Sequence, residues 1–186
     1  MEQTQNKMNL ATKILAGIAG LFLLVLLVGL CRPKEREIMR GIQIDQMYFM
    51  VLGTITNHWE EPMWRHNLDT MIQVDNVDGQ DCWIEYYTNG DSIKLFTQTM
   101  GEFDYVRLMI TPSGRELLRS ITIADVDGKT AIRMTVEAYE TDPIKRFFLL
   151  FTDPEADRVE QYLSDLKAQV LKQKEEMGSD DGFFGF

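Results

Sequence analysis

The chain has two cysteines and two histidines in 186 residues, which leaves little material for metal or redox chemistry. Cys31 ends an apolar run and Cys82 falls in a strand pattern, so the folded part has no second cysteine with which to close a disulfide. Neither C-x-x-C nor any other zinc spacing occurs. The lack of a disulfide is compatible with a reducing compartment without requiring one. His58 and His66 are separated across Pro62 by a spacing that does not put them on one helical face, so they read as polar rim residues and no metal or cofactor is expected. Positive charge is also in the minority: 19 basic residues stand against 29 acidic ones, for a net charge of −10. That balance gives no electrostatic reason to expect a nucleic-acid partner. No catalytic constellation stands out, and the sequence names no substrate.

Hydrophobic length, by contrast, is present at one place. After a short polar tail over residues 1–13, Ile14–Cys31 runs without a charge and is rich in Leu, Ile, Val and Gly. As a helix it spans roughly 27 Å, close to the ~30 Å hydrocarbon core, with Lys13 and Arg32 placed to snorkel outward. It reads as one membrane-spanning helix, and so as the chain's contact with a membrane. It is long for the apolar region of a signal peptide, and no small-x-small cleavage site comes after it. Leu27-Val28-Gly29-Leu30-Cys31 resembles a bacterial lipoprotein box, except that Leu30 stands where a small residue is usual. Arg32, Lys34, Arg36 and Arg40 outnumber Lys7 and Lys13, which favours a cytoplasmic location for the domain C-terminal to the span.

The remainder fits one domain over residues 36–174. Ile38, Gly41, Ile42 and Ile44 fit a first strand. Asp45–Asn57 then reads as a short apolar helix with Asp45 as N-cap, and a further helical turn lies near Glu60–Arg65. Turn signals at Asp78-Gly79, Asn89-Gly90, Gly101, Pro112-Ser113-Gly114 and Asp127-Gly128 come at the spacing of consecutive antiparallel strands, six in all. Last comes the longest helical pattern outside the apolar segment. Asp142-Pro143 suits a helix start, Thr152-Asp153-Pro154-Glu155 repeats the signal as a capping box, and Val159, Tyr162, Leu163, Leu166 and Val170 draw an apolar stripe. Arg158, Glu160, Asp165 and Lys167 lie off that stripe. The acidic residues 175–186, ending in Phe183, Phe184 and Phe186, read as a disordered tail.

This order of strand, two short helices, six strands and long helix resembles the START-related SRPBCC superfamily, which includes polyketide cyclases and lipid-transfer domains. The likeness rests on that order, on the stretch Ile55-Thr56-Asn57-His58-Trp59-Glu60-Glu61-Pro62-Met63-Trp64, and on the ending Asp142-Pro143-Ile144-Lys145-Arg146 through Tyr162-Leu163-Ser164-Asp165-Leu166-Lys167. Ile44-Asp45-Gln46-Met47 departs from the family's Asn-Ala-Pro turn. The resemblance implies an α+β helix-grip fold: a seven-stranded antiparallel curved sheet around a long C-terminal helix. It also implies a membrane-anchored bacterial member.

Such a sheet leaves more concave surface than one helix covers, so part of it is expected to line an apolar pocket. Trp64, Trp83, Tyr86, Phe96, Met109 and Met134 are the cavity candidates, set against ordinary core packing. Arg107, Arg119 and Arg133 sit inside strand patterns, where solvent exposure is the first reading and a hold on a ligand's acidic group the second. Glu85 is the only strand carboxylate among aromatics, and it has no partner at readable spacing for acid or base work. Three functions fit: a membrane-tethered binding module for a hydrophobic small molecule or lipid, a cyclase- or hydrolase-like enzyme using the same cavity, and an interaction domain whose cavity is filled.

Overall fold

A computed structural model describes residues 2–77, 79–101 and 103–180. Phe183, Phe184 and Phe186 lie outside the described residues, as does Asp78 of the first turn. Two compact units are present. One joins the N-terminal helix, as far as Arg36, to Tyr139–Asp153; the other joins Glu37–Ala138 to the C-terminal helix from Pro154.

In the first unit, α1 covers Glu2–Cys31. The expected polar tail is therefore helical, because its Gln, Lys, Met, Leu and Ala residues are good helix formers. The apolar stretch long enough to cross a membrane begins earlier than expected, at Leu10, and ends at Cys31. Most of its leucines are exposed, among them Leu15, Leu21, Leu23, Leu24, Leu27 and Leu30. The second helix of this unit covers Pro143–Phe148 and is capped by Asp142, whose Oδ1 accepts from the backbone N–H of Ile144 and Lys145. A β-carbon at Gly29 would run into the Pro143 carbonyl, so glycine alone permits this approach of α1. Buried Arg146 donates at 2.6 Å to the carbonyl of Arg32, just past the end of α1.

The second unit holds most of a seven-stranded antiparallel curved sheet. Its strands are β1 Glu35–Ile44, β2 Leu68–Val77, β3 Gln80–Tyr87, β4 Ser92–Met100, β5 Asp104–Ile110, β6 Glu116–Val126 and β7 Lys129–Tyr139, and β7 also pairs with β1. Short connections make consecutive strands neighbours. Between β6 and β7, for example, Asp127 and Gly128 both take positive φ, 55° and 75°, and Val126 pairs with Lys129 across them. That is the primed turn whose twist matches the strands it joins.

Counting α1 and Pro143–Phe148 (α4) in chain order, α2 covers Tyr48–Thr56, α3 covers Glu61–Trp64 and α5 covers Pro154–Asp180. Asp45 is not the cap of α2. Met47 holds that position without a side-chain bond, and Asp45 instead accepts from Lys174 Nζ at 3.3 Å. The tail reading is corrected as well, since α5 continues past Lys174 through Glu175, Glu176 and Met177 to Asp180. The α5 stripe is core, with Val159, Tyr162, Leu163, Leu166 and Val170 all buried against the sheet. Asp165, expected off the stripe, is buried too, because it accepts from the backbone and ring nitrogens of His66 at 2.9 and 2.8 Å. Leu163→Ala or Leu166→Ala should cost about 2–5 kcal/mol in a denaturant titration, while exposed Lys167→Ala should leave the midpoint unchanged.

Candidate functional site

Alternation along the strands sets which side chains face α5. Trp83, Glu85 and Tyr87 of β3 share a face with Ile93 and Leu95 of β4, since Glu85 pairs with Ile93 and Trp83 with Leu95. Tyr105, Arg107 and Met109 of β5 continue it, and Arg107 stands directly opposite Arg119 of β6, which in turn faces Val136 of β7. Arg107 is 2% and Arg119 5% exposed, so the reading of these two as solvent-facing is corrected. Arg133, one step out of phase, is exposed.

Two arginines opposed on one buried face repel unless carboxylates intervene. Glu61 of α3 and Glu85 of β3, at 1% and 0% exposure, supply them. Arg65 lies between the two: its Nη1 is 2.7 Å from Glu61 Oε2 and 2.5 Å from Glu85 Oε1, and its Nη2 donates to the Tyr87 hydroxyl at 3.1 Å. Tyr87 donates to Glu85 Oε2. Arg119 approaches Glu85 Oε1 at 3.5 Å, and Arg107 approaches Glu61 Oε1 at 3.7 Å. His58 is buried rather than at the rim. Its Nδ1 lies 2.9 Å from Glu61 Oε1 and its Nε2 lies 2.8 Å from the Tyr105 hydroxyl, with Arg107 also donating to the ring. A neutral imidazole with its proton on Nδ1 donates to Glu61 and has one lone pair, at Nε2, to accept from either Tyr105 or Arg107.

Burial by itself would raise the pKa of Glu85, but the Arg65 and Arg119 charges outweigh it and hold the carboxyl far below its ordinary value. Burial likewise opposes ionisation of Glu61, and the His58 hydrogen bond together with Arg65 and Arg107 reverses the outcome. For His58 burial wins, and its pKa falls below the ordinary 6.5. Burial pushes the Tyr87 and Tyr162 hydroxyls well above their usual range. At neutral pH the cluster therefore holds ionised carboxylates, a neutral imidazole and protonated phenols.

Beside this cluster, between the sheet and α5, lies a cavity of about 270 Å³. Leu68, Ile93, Met109, Met134, Val136 and Val159 form apolar wall, and the polar part includes Arg65, Arg119, Tyr87 and Tyr162, with Asn67, Gln161 and Asp165 also at its edge. Glu155 and Arg158 also border it, and they pair with each other at 3.4 Å.

Of the six cavity candidates, the structure brings Met109 and Met134 to the wall. Trp64 and Trp83 are core residues: Trp64 packs edge-on against Tyr162, and Trp83 packs against His58 and Trp59 while its indole N–H donates to Asp81. Tyr86 and Phe96 fall on the opposite face of the sheet from Glu85 and Leu95, as strand alternation requires, so they do not line the cavity. Sequence reading did not place Arg65 or Tyr162 at the cavity, and the signal was available only in part. Arg107 and Arg119 occur in phase with Met109 and Leu117, which marks them as inward.

No protein-family model and no curated protein matches the sequence. Solved structures do match by shape. The Zhui aromatase/cyclase from Streptomyces sp. R1128 aligns over 75% of this chain and 95% of its own at TM-score 0.64 and 8% identity. A Thalictrum norcoclaurine synthase mutant, bound to a transition-state analogue, aligns over 75% and 96% at 0.60 and 10%. A START superfamily protein from Mycobacterium smegmatis aligns over 74% and 98% at 0.57 and 9%.

The cluster governs both mutational and pH stability. Arg65→Met strands two buried carboxylates and should cost about 3–5 kcal/mol of stability, measured by denaturant midpoint. The pH dependence is set by groups whose folded pKa lies below the unfolded value. Their contribution is complete above the unfolded pKa and is lost as pH falls. Stability should accordingly decline from about pH 6.5 as the unfolded chain protonates His58, and more steeply below about pH 4.3 as the glutamates take up protons. His58→Asn should remove the upper part of the decline, and a flat profile from pH 7 to 4 in the unsubstituted protein would rule this account out.

Proposed function

We propose that this chain, which has the helix-grip fold of the SRPBCC superfamily, is a membrane-tethered binding module for a hydrophobic small molecule or lipid. The observation that supports this best is the cavity, about 270 Å³ with a wall of Leu, Ile, Val and Met side chains, which lies just below the usual size range of small-molecule sites. Apolar walls of that kind release water from an apolar ligand rather than activate one.

The enzyme reading is the weaker one. Glu85, the best placed carboxylate, is locked by Arg65 and held far below the range of a useful base at neutral pH. His58 is not on the cavity wall, and both its ring nitrogens are engaged. The tether is α1, whose Leu10–Cys31 stretch is long and apolar enough to span. A domain held on the membrane meets sparingly soluble ligands where they are most concentrated. The basic residues just past the span, Arg32, Lys34, Arg36 and Arg40, favour the cytoplasmic side.

The test uses the full-length chain in amphipol, with its unfolding monitored by tryptophan fluorescence. 1-Decanol and farnesol should raise the melting temperature with concentration, reaching about 2.7 kcal/mol of stabilisation at a hundred times the dissociation constant. Val136→Trp, which fills the cavity, should fold and lose the shift. If neither probe shifts the unsubstituted protein, the binding-module reading fails and the interaction-domain reading replaces it.

A further inference from the structure

We propose that the cavity binds an amphiphile with a single oxyanion head, and that Arg119 is the seat of that head. The inference rests on the binding-module reading and adds the ligand's charge to it.

The charge count of the buried cluster does not close. Arg65, Arg107 and Arg119 bring three positive charges, Glu61 and Glu85 bring two negative ones, and His58 is neutral. All five ionic side chains are at least nine-tenths buried, the most exposed being Arg65 at 8%. A surplus charge in such a place is costly, and an apolar residue of similar size would serve packing better. Arg107 does not reach the cavity; it is taken up by His58 and Glu61. Arg65 borders the cavity but is spent on both glutamates and on Tyr87.

Arg119 is different. Its one carboxylate contact among the described residues is the 3.5 Å approach to Glu85 Oε1, an oxygen that already receives Arg65 at 2.5 Å. A guanidinium has five N–H donors in a planar fork suited to an oxyanion. The other ionic groups on the wall have nearer partners than Arg119: Arg158 pairs with Glu155 and Asp91, Glu155 also with Arg115, and Asp165 accepts hydrogen bonds from the backbone and ring nitrogens of His66. Arg119 is therefore the least engaged guanidinium on the cavity wall, next to the Tyr162 ring over which it lies at 5.6 Å. Met109, Met134 and Val136 line the same space, so the ligand it suits has an apolar body and one negative end.

Calorimetric titration of the full-length protein in amphipol with sodium decanoate, 1-decanol and sodium acetate tests this. Decanoate should bind about tenfold or more tighter than decanol, and acetate, which lacks the apolar body, should not bind measurably. Arg119→Met should abolish the preference for decanoate while leaving decanol binding in place. A cooperative unliganded melt of the variant shows that it is folded. Arg119→Lys, which keeps the charge without the fork, should restore part of the preference. Equal binding of decanoate and decanol by the unsubstituted protein would overturn the head reading and leave the cavity reading intact. A preference that survives undiminished in Arg119→Met would also overturn the assignment. Failure of both ten-carbon probes would overturn the two readings together.

Discussion

Arg65 joins two carboxylates that come from different parts of the chain, Glu61 four residues before it on α3 and Glu85 on β3. Nearly every polar group behind the cavity depends on that junction. Glu61 fixes the His58 ring, which takes Tyr105 and Arg107, and Glu85 takes Tyr87 and Arg119. Each guanidinium also lies over an aromatic ring: Arg65 and Arg119 over Tyr162, and Arg107 over Tyr105. The short helix α3, only four residues long, is too brief to be stable alone. Its place on the sheet comes from these ionic contacts and from Trp64 against Tyr162.

The first unit solves a separate problem. A long apolar helix with a short junction after it has few neighbours of its own, but here the end of α1 is engaged by α4. Gly29 lies against Pro143, Arg146 holds the Arg32 carbonyl, and Arg36 pairs with Asp153 at 2.9 Å. Phe148, Leu150 and Phe151 remain exposed at the end of α4 and just after it. Their apolar surface lies in the same unit as the end of α1.

Much of the fold was legible because it is written in punctuation. Asp127-Gly128 and Asn89-Gly90 mark turns through the backbone conformations they permit, and the α5 stripe marks a buried face through its period. The cap of α2 was not legible, since Asp45 has the right chemistry but finds Lys174 on α5, a partner far away in sequence. The charged cluster was hidden for a similar reason. His58 read as a rim residue because its partners Tyr105 and Arg107 become neighbours only when α3 packs on the sheet. Strand phase did contain part of the answer: Arg107 and Arg119 share the parity of buried neighbours, whereas Arg133 lies between Ile132 and Met134 and has the opposite parity. Charge outweighed parity in the sequence reading, and burial with carboxylates outweighed charge in the fold. Tyr86 and Phe96 were misassigned by the converse error, in which aromatic character outweighed parity.

The opposition of Arg107 and Arg119 across β5 and β6 also bears on the order in which the domain can form. The two strands are joined by a short turn and meet early, since local closure is fast. In water their arginines are solvated and screened, and the hairpin tolerates them. It cannot give up that water by itself, because drying two facing guanidinium groups without counter-charge is prohibitive. Glu85 must first arrive through β3 and β4, and Glu61 with α3. The central hairpin is thus built early and dried late, so that its desolvation waits on elements from the N-terminal half of the sheet and ties the domain into one cooperative unit.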